Sequence, residues 1–164
     1  MIGVAPDKAA AEPLWRFSLM VYSRPGVAAA LIGLQDRGGH NVNLILYGLW
    51  LAICGGCRLD AAGLARARAA IAGFDQTVVA PLRRLRRELK TAPDPDIQEI
   101  RRRVLALEIT AERSVQARLA AMLPRRHAKS GDRGVLAEAN LRLILGADFD
   151  APEGEKLKQV IAEL

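Results

Sequence analysis

Val42-Asn43-Leu44-Ile45-Leu46-Tyr47-Gly48-Leu49-Trp50-Leu51-Ala52-Ile53 is the stretch on which the fold turns. Wound into a helix, it carries apolar side chains on every side, which suits a helix enclosed by others and no other kind of surface helix. Asn41 is placed to cap its first turn, and Gly55-Gly56 to stop it, so the third helix is expected over residues 42–55. Its most apolar part, residues 44–54, is 11 residues long, whereas a bilayer crossing needs roughly 20. It therefore reads as a core helix and not as an anchor. Asn43 takes an amide into this apolar setting, where leaving it unpaired costs about 1–3 kcal/mol. Gln35 or Asp36, just upstream, are the expected partners.

Working outward, Pro13 suits the first turn of a helix, and Leu14, Trp15, Leu19 and Tyr22 recur at helical spacing as far as about Ser23. Residues 1–12 show no such period and read as a tail, leaving residues 13–164 as one helical domain. Arg24-Pro25-Gly26 breaks the chain, and a second helix with Val27, Leu31 and Leu34 on one face ends at Gly38-Gly39, where glycine allows a left-handed cap. Asp60 caps a fourth helix, and a fifth follows from Asp75, either starting near Pro81 or kinking there. After the turn-rich Thr91-Ala92-Pro93-Asp94-Pro95, Asp94 or Asp96 caps the longest helix. Its apolar stripe is Ile97, Ile100, Val104, Leu107, Ala111, Val115, Leu119 and Met122, and Pro124 ends it. A basic loop over residues 125–134 leads to two short helices, 135–145 and 155–164, the last a loosely held appendage. The fold class is all-α, a compact irregular bundle of about seven to eight helices.

The composition of the 164 residues agrees: 51% are hydrophobic and only 4% aromatic, which favours helix formers over strand formers. Residues 1–13 hold Asp7, Lys8 and Glu12 and no apolar run, so they do not read as a signal peptide, and a cytoplasmic setting is expected. The net charge of +6 comes from residues 83–133, which hold 14 Lys or Arg against 7 Asp or Glu. Arg83-Arg84-Leu85-Arg86-Arg87 and Arg101-Arg102-Arg103 could face a phosphate backbone, but no aromatic residue is interleaved for stacking on bases. A solvated basic face is the default, and non-specific nucleic-acid binding is the third reading of function.

Catalytic and metal constellations are not evident. Cys54-Gly55-Gly56-Cys57 has C-x-x-C spacing, yet it closes a helix, at the negative end of the dipole that would raise a thiol pKa. With only His40 and His127 elsewhere, the expectation is no metal and no cofactor. Glu108 and Glu112, four apart on the long helix, read as ion-pair partners of Arg113 and the arginines at 83–87 rather than as metal ligands. The sharper alternative gathers Trp15, Arg16, Gln35, Asp36, Asn43, Arg83 and Arg87, with Glu108 and Glu112, into a polar pocket for a small phosphate or carboxylate ligand.

Several segments together resemble a known family. These are Leu14-Trp15-Arg16-Phe17-Ser18-Leu19, Tyr22-Ser23-Arg24-Pro25-Gly26-Val27, Leu34-Gln35-Asp36-Arg37, Val42-Asn43-Leu44, Leu49-Trp50-Leu51, Pro81-Leu82-Arg83, Leu85-Arg86-Arg87, Glu108 and Ala111-Glu112-Arg113. They are similar to an uncharacterised proteobacterial all-helical family, a domain of unknown function, over residues 14–120. The chain departs from that pattern at Phe74, where the family tends to have Trp, and in its C-x-x-C. The resemblance implies the fold and a bacterial cytoplasmic setting and no chemistry. The leading expectation is thus a non-enzymatic helical interaction or regulatory protein whose partner is another protein, with anionic-ligand binding second.

Overall fold

The computed structural model describes residues 8–123 and 132–164, with side chains from Glu12 onward. The expected basic loop falls mostly on residues 124–131, outside the described residues, as do Pro124 and His127. Among the described residues eight α-helices follow one another: α1 Lys8–Tyr22, α2 Val27–Gly38, α3 Val42–Ile53, α4 Ala61–Phe74, α5 Ala80–Glu88, α6 Pro95–Ala120, α7 Arg133–Leu145 and α8 Pro152–Ile161. No strand occurs among the described residues, and the class is all-α.

The third helix lies where its sequence places it. Every residue from Val42 to Ala52 is buried, Asn41 caps it by accepting from the backbone N–H of Asn43 and Leu44, and Gly39 turns left-handed just before it. Its main neighbour is α7, from the far end of the chain. Gly48 permits that approach, because a methyl there would collide with Ile144 of α7. Asn140, also on α7 and fully buried, donates to the carbonyls of Gly48 (2.9 Å) and Cys57 (3.1 Å) and accepts from the N–H of Leu59 (2.7 Å). One amide thus fastens α3, α7 and the loop between α3 and α4, leaving none of these groups unpaired.

Three expectations are corrected and one is refined. The first helix begins at Lys8, so Pro13 sits inside it and residues 8–12 are helical and not part of a tail. The fifth helix opens at Ala80 with Pro81 in its first turn, as one of the two readings expected, but it does not stand apart from the fourth: a π-helical turn, Asp75–Val79, joins α4 to α5 in one continuous helical rod. There the N–H of Ala80 reaches back to the carbonyl of Asp75, and this wider turn relieves the clash that proline makes with an α-helical carbonyl behind it. The last helix is no appendage: Leu157, Val160 and Ile161 are buried in the common core, and α8 packs along α2. Asn43 pairs with neither Gln35 nor Asp36; its side-chain oxygen accepts from Gln116 of α6 (3.0 Å), whose own oxygen accepts from Ser18 of α1 (3.2 Å). The buried polar chain crosses three helices because Gln116 faces inward on α6, next to Val115.

Candidate functional site

Chemistry-bearing side chains concentrate where α5 lies against α6. Glu108 points from α6 into this seam and is 5% exposed, in the position the stripe reading gave to Leu107. At 100° per residue, Val104, Glu108, Ala111 and Val115 share one face of α6, while Ile100 and Leu107 lie on its flank at 52% and 57% exposure. That is the second way in which the expected stripe was misplaced. Glu108 accepts from Arg83 Nε (3.3 Å) and Arg86 Nη2 (3.1 Å), and Arg86 Nε closes the pair; Glu112 accepts from Arg83 Nη2 (2.7 Å). Burial pushes the Glu112 carboxyl up, against the pull of Arg83. Tyr22 of α1 stands beside it, its hydroxyl pushed up to about 12 by burial and by the Glu112 charge.

Four of the anion-pocket residues do converge. Gln35, Asp36, Arg83 and Arg87, with Arg84 and Glu88, line an open depression of about 380 Å³ between the end of α2 and α5. Its cations are already matched: Arg87 bonds Asp36 (2.5 Å), Arg84 lies 3.8 Å from Glu88, and Arg83 is held by buried Glu108 and half-buried Glu112. Of the other five, Glu108 and Glu112 bond Arg83 from α6, and three lie elsewhere. Asn43 is in the core, and exposed Arg16 bonds Glu12 on its own helix. Trp15 lines a separate depression of about 250 Å³ with Ile109, Thr110, Arg113 and Ser114, and the Arg113 guanidinium sits 5.5 Å from its ring centre. The Cys54 and Cys57 thiols are both pushed up by burial, the opposite of an activated pair.

The pattern of a domain of unknown function, expected from the first helices and the arginine runs, is met by a family sequence profile that matches residues 13–119. The chain belongs to that family, Protein of unknown function (DUF2390). No curated protein and no solved structure matches the chain. The DUF2390 segment contains the whole arginine–carboxylate seam and stops short of α7 and α8, so the family match does not include the helices that close the core over α3.

The expected pairing of Glu108 and Glu112 with the arginines at 83–87 is met by Arg83 and Arg86, while Arg113 pairs with Glu12 instead; sequence reasoning missed Gln116, Ser18 and Asn140. A buried amide at 140 leaves no mark in a helical period. It also missed the most unusual surface of the DUF2390 segment. From Ala80 to Arg103 no residue is buried, although this length includes Leu82, Leu85, Leu89, Ile97 and Ile100. Here α5, the short 3-10 turn Leu89–Thr91 and the first half of α6 form a hairpin arm, tied at its tip by Gln98, which donates to the carbonyls of Leu89 (3.1 Å) and Ala92 (2.6 Å). Its signal was present: 82 and 85 on α5 with 89 at the start of the turn, and 97, 100, 104 and 107 on α6, are spaced three and four apart.

Proposed function

We propose that the chain is a helical interaction protein that presents the α5–α6 arm to a protein partner. One observation carries this reading: 24 consecutive residues with two rows of large aliphatic side chains and no core of their own. Leu85 is 40% exposed, Ile100 52%, Leu105 40% and Leu107 57%. Two helices side by side can cover only one stripe each, and further apolar rows in contact with water mark a surface that another element covers. A third or fourth helix laid against heptad-like rows is the packing such spacing suits. The seam of Glu108, Arg83 and Arg86 belongs to the same design, since it fixes the angle between α5 and α6 at the root of the arm. Ligand binding in the neighbouring depression has less support, because every arginine lining it faces a carboxylate.

The test is site-specific photo-crosslinking in the native cell. A benzophenone amino acid replaces Leu107, or, as a control, Ala69 on the exposed side of α4. A single adduct of defined mass from position 107 and none from position 69 is the expected result. Absence of an adduct from position 107 overturns the reading.

A further inference from the structure

The arm carries its own complement. Its tip holds four acids, Glu88, Asp94, Asp96 and Glu99, against one lysine, Lys90. Its shank holds Arg83, Arg84, Arg86 and Arg87 on α5 and Arg101, Arg102 and Arg103 on α6. Some of this charge is satisfied locally: Glu99 accepts from Arg102 and Arg103, and Arg84 approaches Glu88. These pairs are exposed and therefore contribute little. The separation into an acidic end and a basic middle persists. The apolar side chains run along the same length, with Ile100 and Leu107 two turns of helix apart on one flank of α6.

We infer that the occupant of this surface is a second copy of the chain, its arm lying antiparallel to the first so that the two hairpins form a four-helix bundle. The inference rests on the interaction reading above and names its partner. A two-fold axis passing between Ile100 and Leu107 sets Ile100 of one copy against Leu107 of the other, and the reverse, as an isologous contact requires. The same axis brings the acidic tip of each arm alongside the partner's exposed Arg84 and Arg87, so attraction occurs twice. A parallel arrangement would set tip on tip and shank on shank, with like charges opposed along the whole length. Leu85 of α5 and Leu89 of the turn that follows it then complete the inner rows, in the manner of antiparallel bundles.

The experiment is sedimentation equilibrium of the full chain from micromolar to hundreds of micromolar concentration. The wild type is expected to form a dimer, and Leu107→Lys to weaken it by roughly tenfold or more in dissociation constant, a change of about 1.4 kcal/mol. The melting temperature of that variant, compared by circular dichroism under monomeric conditions, should stay near the wild type because Leu107 is 57% exposed. A charge swap gives the decisive arm. Glu88→Lys with Asp96→Lys reverses the tip, Arg84→Glu with Arg87→Glu reverses the shank, and each double variant alone should be monomeric. Their equimolar mixture should recover the dimer. A monomeric wild type across the range, or a mixture that fails to associate, overturns the inference. If the crosslink from position 107 joins a different protein, only the choice of a second copy falls; if no crosslink forms, both readings fall together.

Discussion

Glu112 shows how a single side chain sets a pH response. Burial raises its pKa, while the Arg83 bond only partly offsets that rise. A carboxyl whose folded pKa lies above its unfolded value binds its proton more tightly in the folded state. Its contribution to stability is therefore fully present below the unfolded value near 4.5 and is lost as pH rises through the raised folded one. The difference in urea unfolding free energy between wild type and Glu112→Gln should accordingly shift in favour of the wild type as pH falls from neutrality toward that range. A difference that stays flat, or moves the other way, would show that Arg83 outweighs burial at this site. The exposed carboxylates whose pKa values are lowered by arginine, Glu12, Asp36 and Glu99, are common to both proteins and cancel in this comparison.

The elements differ in how far they were legible, and the difference has a physical cause. Helix α3 was readable because an apolar surface on all sides leaves one solution, and caps at Asn41, Asp60 and Asp94 were readable because their side chains act on their own next turn. The polar chain from Ser18 through Gln116 to Asn43 was not, since its bonded pairs are 98 and 73 residues apart along the sequence. On α6 the three-and-four spacing was recognised, but spacing alone gives two overlapping faces, one turned to the body and one to solvent, and it cannot rank them. The π turn was likewise hidden: nothing in Asp75-Gln76-Thr77-Val78-Val79 announces it except Pro81 downstream. It adds a residue to the rod, which turns everything after it by about 100° relative to α4. Deleting Gln76 should therefore bring the proline ring against an α-helical carbonyl, at about 3 kcal/mol. It should also swing Arg83 and Arg86 off the line of Glu108. The expected outcome is a protein several kcal/mol less stable in urea, read by circular dichroism; stability within about 1 kcal/mol of the wild type would mean that the turn relaxes without consequence.

At the scale of the molecule, the chain closes on itself by pairing early helices with late ones: α1 with α6, α2 with α8, α3 with α7. The closure of α8 is tight. Gly154 lies against the backbone of Phe149, so that a methyl group there would meet the carbonyl oxygens of Phe149 and Asp148. Phe149, fully buried, is flanked by Arg142 and Lys158, whose charges lie 4.1 Å and 4.5 Å from the ring centre. Because backbone and not a flexible side chain is in the way, Gly154→Ala should force α8 off the turn before it and cost about 2–3 kcal/mol, in the range of strongly overpacked cores. Thermal unfolding would register this as a lower midpoint. An unchanged midpoint would indicate that the final helix is held more loosely than its burial implies. The all-α class and the central place of α3 were thus recoverable from composition and period, whereas the pairing of ends was not, because no local signal says which distant helix covers which.

That pairing bears on how the protein is made. Translation delivers α3, greasy all round, long before α7 exists to cover it: 79 residues lie between Ile53 and Arg133. At about 5–20 residues per second the interval is on the order of 4–16 s, ample time for a sticky nascent segment to find something else. A ribosome-bound chain of this sequence is thus a natural client for holding chaperones, and pausing or truncation ahead of residue 133 would leave its most water-averse helix without its cover.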